Sequence, residues 1–280
     1  MRIGPVGFRI GSDWRGPIAD LERLYADYPK PQGGVADFTV RLFAARAWRR
    51  FLRPSVMIGG DYMLPEAAPL PLAQGLLAAE MGMNLQMALG QRRYLLLHAA
   101  VVERDGRALV MTGISGAGKS TLAALLGGRG WRLMGDEFGL LDPATGRIHA
   151  FPRLVSLKNA SIGVVETALP DAVFGPLLAG TPKGDIRHLV PGQEAIAAMD
   201  RAAMPALILF PTFGFDAATR GMAASEVFAR LTQASTNYVA MGERGFDALT
   251  RLVRTVPACA IDYPDTDSAL VQIDAAWAAL

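Results

Sequence analysis

Residues 113–121, GISGAGKST, place Gly113, Gly116 and Gly118 ahead of Lys119, Ser120 and Thr121. That spacing satisfies the G-x-x-x-x-G-K-[ST] pattern of a phosphate-binding loop, an arrangement in which each residue type has a physical task. Glycines accept positive φ, so successive backbone amides can turn inward on phosphate oxygens. A helix beginning near Lys119 presents the partial positive charge of its N-terminus to the same oxygens. Lys119 reaches the β and γ oxygens, and the Ser120 hydroxyl suits the hard, octahedral oxygen shell of Mg²⁺. The plainer alternative is a glycine-rich turn capped by Ser120; the apolar run before the loop and the helical run TLAALL after it favour the nucleotide reading.

Past that helix, GGRG at 127–130 is followed at once by WRLMGDE, which reads as a short strand ending in Asp136 and Glu137. A right-handed strand-helix-strand crossover lays this strand parallel to 107–112, so the two C-terminal edges face the same way and both carboxylates stand beside the phosphates. Asp136 is the expected metal ligand. A solvated turn or a helix-dipole partner is the alternative for either acid, and more so for Glu137 than for Asp136. Further along, Arg153 and Lys158 in RLVSLKNASIGVV offer cations, one or both facing a phosphate. Residues 169–192, dense in Pro and Gly, carry Lys183, Asp185, Arg187 and His188 and read as a long loop of the kind that closes over phosphates.

The elements that must position these groups follow from hydropathic period and breakers. A strand at 3–12 and a helix at 17–29 open the chain; residues 35–48 alternate in part as a strand, and 51–64 read as two short strands about Gly59-Gly60. A Pro-started helix over about 71–90 has Met81, Met83 and Met87 as core filler. YLLLHAAVVERDGRALVMTG then reads as a hairpin: a strand at 94–103, an Asp105-Gly106 turn, and the strand that feeds the loop. His98 interrupts the first strand, where a lone histidine is ordinarily a satisfied core residue. A second hairpin turns at 142–146. Strand 206–215, helices near 222–235 and 242–256, strand 258–264 and a terminal helix complete a layered α/β alternation. The expected division is an N-terminal α+β domain over 1–90 and a nucleotide-binding core over 91–280.

With 51% apolar and 19% charged residues and a net charge of +2, a chain of this length buries one large core, or one core and a small satellite. The charge is too mild to argue for nucleic acid. The densest basic run, ARAWRR at 45–50, reads as a solvated face with Trp48 packed inward. A single cysteine, Cys259, excludes an internal disulfide and a cysteine-based zinc site. The first residues lack a signal peptide's basic and apolar regions, and no charge-free apolar stretch approaches the ~18 residues of a membrane span. These features lead to the expectation of a cytoplasmic protein with no membrane and no nucleic-acid partner.

The run from LLLHAAVV through GISGAGKST to RGWRLMGDE resembles the HPr kinase/phosphorylase family, and within it the HPr-kinase-related proteins, over about residues 91–140. There a histidine-bearing strand, a hairpin, a phosphate loop and a strand ending in paired acids come in the same order and spacing. The resemblance implies an α/β fold with a P-loop kinase core like that of phosphoenolpyruvate carboxykinases, a mixed sheet with flanking helices, and a homo-oligomer as an admissible state. It implies ATP and Mg²⁺ as cofactors. Gly113, Ser115, Gly116, Ala117, Gly118, Lys119, Ser120 and Thr121 would hold the triphosphate, with Arg153, Lys183 and Arg187 as further phosphate ligands. Ser120 and Asp136 would bind the metal. His98, raised from core residue to site member, would join Asp136, Glu137 and Lys119 in catalysis, one of the acids taking the acceptor's proton.

Two departures stand out. HPr kinases carry two aspartates where this chain has Asp136-Glu137, and a later Glu-x-Arg-Gly signature that this chain lacks; both count against HPr as the acceptor and against reverse phosphorolysis. The expected function is therefore an ATP-dependent kinase acting on a hydroxyl, with a serine of a small protein or peptide as the favoured acceptor. A small-molecule hydroxyl, a nucleotide-dependent switch and a binding module without turnover are the alternatives. No Asn-Lys-x-Asp and no LSGGQ-like segment is present, which weighs against GTPase switches and transporter-type ATPases.

Overall fold

The computed structural model describes residues 1–280, Gln32 by its backbone alone. Strands β1 (Arg2–Ile3), β2 (Val6–Ser12), β3 (Phe38–Ala44), β4 (Ser55–Gly60) and β5 (Leu70–Pro71) form a five-stranded sheet in that order. Helix α1 (Arg15–Leu24) leads from β2 to the parallel β3, and α2 (Gly75–Gly90) packs on β3 and β4. Residues 51–64 contribute one strand rather than two, because Gly59 and Gly60 stay in the ladder opposite Arg41 and Val40. Trp48 and Phe51 are exposed, so the basic run at 45–50 turns its aromatic residue outward, contrary to expectation. The apolar cluster under this sheet joins Phe8, Leu24, Val40, Met83 and Met87 to Leu96, Phe138, Phe151 and Ile186 from later segments.

The 94–103 segment is broken at His98. Strand β6 (Leu95–Leu97) joins a small antiparallel sheet, while β7 (Ala99–Arg104) makes the expected hairpin with β8 (Arg107–Thr112) in a different one. Asp105 and Gly106 both take positive φ, 55° and 76°, as a primed two-residue turn requires. After the loop come α3 (Lys119–Gly127) and β9 (Arg132–Gly135), then β10 (Gly139–Leu141) and β11 (Ile148–His149), which complete the small sheet in the order β11-β10-β6. Strand β9 pairs antiparallel with β7, not with β8. Two antiparallel pairings in succession still leave β8 and β9 pointing the same way, so the edge relation inferred from the sequence holds with one strand interposed.

Strand β12 (Val155–Lys158) and α4 (Ala160–Ala168) precede the segment read as a long loop. That segment is instead a hairpin, β13 (Phe174–Thr181) and β14 (Gly184–Leu189), in a three-stranded sheet ordered β12-β14-β13. Its glycines do what strands tolerate: Gly180 and Gly184 take positive φ at 61° and 86° and turn the chain, while alternate residues such as Leu178, Ile186 and His188 are buried. After α5 (Gln193–Ala197), β15 (Met204–Phe213), β16 (Ala218–Gly221), α6 (Ala224–Ala234), α7 (Tyr238–Met241), α8 (Glu243–Thr255), β17 (Ala258–Tyr263) and α9 (Thr266–Ala278) close the chain.

The main sheet runs β16-β17-β15-β8-β7-β9, with β17-β15-β8 parallel and the rest antiparallel. The fold is thus mixed α/β. One face of this sheet, including Leu109, Leu209 and Ile261, packs with Leu122 and Leu126 of α3, Val165 of α4 and Ile273 of α9. The other, including Val101, Val110 and Ile208, packs with Leu231 of α6 and Leu249 of α8. At nine residues α3 is too short to persist alone; burial of Leu122, Leu125 and Leu126, roughly 2 kcal/mol each, anchors it and so fixes the loop before it. Among the described residues no helix is long and apolar enough to cross a membrane.

Candidate active site

The loop between β8 and α3 follows the glycine spacing closely. Gly113, Gly116 and Gly118 have φ of 148°, 86° and 86°, conformations that a side chain strains. At Gly118 space is lacking as well: a Cβ there would lie 1.9 Å from the hydroxyl oxygen of Tyr263. That hydroxyl donates to the Ala117 carbonyl at 2.8 Å, so β17 pins the loop from beneath. Lys119 is buried, and its Nζ donates to the carbonyls of Gly113 (2.8 Å) and Ile114 (3.0 Å), curling over the cradle rather than standing in solvent. Burial draws its pKa below the ordinary lysine value, against the pull of Asp136 and Glu137.

The two acids reach the loop because two strands change sheets at the same level. The chain leaves the small sheet at Leu97 and enters the main sheet at Ala99; it leaves the main sheet at Gly135 and enters the small one at Gly139. Gly139 lies opposite Leu97 and Gly135 opposite Val101, so His98 and residues 136–138 occupy the seam where neither ladder continues. This register sets His98 Nδ1 3.5 Å from Glu137 Oε2. Burial lowers the His98 pKa, with Glu137 opposing and Lys119 reinforcing, which leaves the imidazole neutral at pH 7.

Asp136 is buried at 4% exposure. Its Oδ2 accepts the Ser156 amide at 3.0 Å, while Oδ1 has no hydrogen-bond partner among the described residues. Burial, with the neighbouring Glu137 charge, pushes its pKa up to about 6, although the Ser120 hydroxyl and the Ser156 amide pull the other way. A buried carboxylate oxygen with nothing to bind is costly. Together with Ser120 it matches the donor set expected of Mg²⁺, which takes one or two protein oxygens and leaves the rest of its shell to water and phosphate.

Strand β12 supplies the opposite wall. Its alternation sends Val155 and Leu157 into the core and turns Ser156 and Lys158 to the cleft, which holds about 450 Å³ and is bounded by His98, the loop, both acids, Lys158 and Lys183. Asn159, at φ 50°, ties the end of β12 to β14: its backbone amide donates to the Asp185 carbonyl at 2.9 Å, and its Oδ1 accepts the Asp185 amide at 3.1 Å.

The structure thus gathers Ser115 through Thr121, His98, Asp136, Glu137 and Lys183 around one cleft, and it sets Arg153 and Arg187 apart from it. Arg187 pairs in register with Leu157 rather than with Lys158, so it shares the opposite face of its sheet, bonded to Glu166 and to the Gly175 carbonyl. Arg153 is buried under α2, in an ion pair with Glu80 and a hydrogen bond to Asn84. Glu80 is held further by the Tyr25 hydroxyl at 2.7 Å. Of the two cations in residues 153–158, Lys158 is the one at the cleft. Its V-S-L-K alternation was a readable signal; nothing in the sequence marked Tyr263, Ser156 or Asn159.

A smaller chamber of about 90 Å³ adjoins the cleft and shares Glu137, Ser156, Lys158 and Lys183 with it. Glu80, Asn84, Arg153 and His188 form its other side. His188 Nδ1 and Arg153 Nε are buried there without partners among the described residues, and burial holds the His188 pKa below its ordinary value.

No protein-family model matches the chain, and no curated protein matches it. Among solved structures, the Hpr(Ser) kinase/phosphatase from Coxiella burnetii aligns over 64% of this chain and 86% of its own at 13% identity, with a TM-score of 0.27. That likeness is too slight to bear on the fold or the chemistry, which rest on the residues described above.

Proposed function

We propose that the protein is an ATP-dependent kinase that moves the γ-phosphoryl group to a hydroxyl, with a serine of a small protein or peptide as the favoured acceptor. The observation that carries this reading is the pairing, across one cleft, of a phosphate loop with two adjacent carboxylates in unlike surroundings. Gly113, Ser115, Gly116, Ala117, Gly118 and Thr121 line the cradle, Lys119 neutralises the β and γ oxygens, and Lys158 and Lys183 approach the transferring group from the far wall. The division near residue 90 into an N-terminal α+β domain and a P-loop kinase core belongs to the same proposal, as does a homo-oligomeric state.

The carboxylates divide the work by burial. Asp136, enclosed and with one oxygen unengaged, joins Ser120 in holding Mg²⁺. Held by those two residues, Mg²⁺ would supply countercharge to the phosphates. Glu137 is the more open acid, lies between the cleft and the chamber, and faces His98, so it orients the acceptor hydroxyl and takes its proton. The neutral His98 imidazole orients Glu137. Entering through the chamber, a seryl side chain would meet Glu137 directly.

The test is incubation with γ-labelled ATP, Mg²⁺ and the peptides and small proteins encoded beside this chain. Label should appear on one acceptor and should be lost in Glu137→Gln, while that variant still binds ATP. Free phosphate alone, whatever acceptor is offered, would refute the kinase and favour a nucleotide-driven switch.

A further inference from the structure

Strand β15 ends in an unusual way. Leu207 through Pro211 are buried, but Phe213 is 56% exposed, Phe215 is 60% exposed, and Ile114, two residues past the end of β8, is 75% exposed. Three large apolar side chains therefore stand in water at the edge of the sheet that carries the phosphate loop. We propose that Phe213, flanked by Phe215 and Ile114, is the platform on which the base of the bound nucleotide stacks; this rests on the nucleotide reading of the loop given above.

The direction of the triphosphate places the base. In the order β17-β15-β8-β7-β9, the loop leaves β8, and Asp136 and Glu137 leave β9 on one side of it. The reacting γ end must lie toward those acids. The α-phosphate and nucleoside then extend the other way, over the ends of β15 and β17.

Phe213 is also on the correct face. It has the parity of Leu207 and Leu209, which pack with α3, and it is in register with Tyr263. Their ring centroids are 5.6 Å apart, and the Tyr263 hydroxyl holds the Ala117 carbonyl. One aromatic ring thus separates Phe213 from the loop backbone. Stacking on an exposed ring needs no hydrogen-bond partner and serves any base, purines having the larger face.

Calorimetric titration of the full chain and of Phe213→Ala, each with Mg²⁺ and either ATP or inorganic tripolyphosphate, tests this. The expected result is roughly tenfold weaker ATP binding in the variant, with tripolyphosphate affinity unchanged and ATP affinity regained in Phe213→Trp. Equal losses for both ligands would mean that Phe213 merely supports Tyr263 and the loop, and would overturn the proposal. So would unchanged ATP binding, or a wild-type chain that binds ATP no better than tripolyphosphate. A wild-type chain that binds neither ligand would instead remove the phosphate loop itself, and the platform with it.

Discussion

Replacing Arg153 with Met distinguishes a phosphate ligand from a structural ion. The guanidinium is 4% exposed and its partner Glu80 equally so, and the pair sits where α2 meets the segment leading into β12. Removing one member of a buried pair strands the other: Glu80 would keep the Tyr25 hydroxyl but lose its countercharge. Such losses cost roughly 3–5 kcal/mol, which for a chain of this size is about 6–15 °C in melting temperature. The double variant Glu80→Gln/Arg153→Met removes both charges and should recover most of that difference. Thermal unfolding of the three proteins, followed by ATP titration below the lowest transition, measures stability and binding separately. The expected outcome is a large drop for Arg153→Met, recovery in the double variant, and ATP affinity within about twofold of wild type in both. An unchanged melting temperature combined with lost ATP binding would refute the structural placement and return Arg153 to the phosphates.

Two further predictions concern the loop and its acid. Lys119→Ala should abolish turnover and lower the melting temperature by roughly 6–15 °C, because Nζ holds two loop carbonyls and hydrogen bonds to charged groups contribute about 1.5–3 kcal/mol each; retained turnover would remove the loop from the mechanism. Asp136→Asn in metal-free buffer bears on pH dependence. The folded-state pKa of Asp136 is raised to about 6 from 3.8, so the folded chain holds this proton more tightly, and wild-type stability falls as pH rises from about 4 through 6. The variant should therefore gain on wild type over that window and stay ahead above it, by a few kcal/mol at most, while losing turnover. A difference in melting temperature that is flat between pH 4 and pH 7 would show that Asp136 is not a strained carboxylate.

The strand–glycine loop–helix unit at 107–127 was legible because its pattern is local: consecutive residues with fixed conformational demands, flanked by a strand and a helix. The Asp136-Glu137 pair was placed by strand direction alone, a relation that survives the insertion of β7. His98 was harder to read. As a residue it looked like a core histidine, the resemblance alone implied a place near the acids, and the register of β6 with β10 sets it beside Glu137. The hairpin at 174–189 was hidden by its prolines and glycines, which mark loops and tight strands alike.

The sequence by itself determined which groups could bind phosphate and metal, since those requirements are met within a few residues of chain. Tertiary structure decided which cations reach the cleft. Lys158 and Arg187 differ in placement because β12 and β14 pair in a register that puts them on opposite faces. Arg153 was lost to the cleft because Glu80, 73 positions earlier, lies beside it. Side-chain direction within a sheet and the nearest buried countercharge depend on residues distant in sequence, so these assignments became visible only when the elements packed.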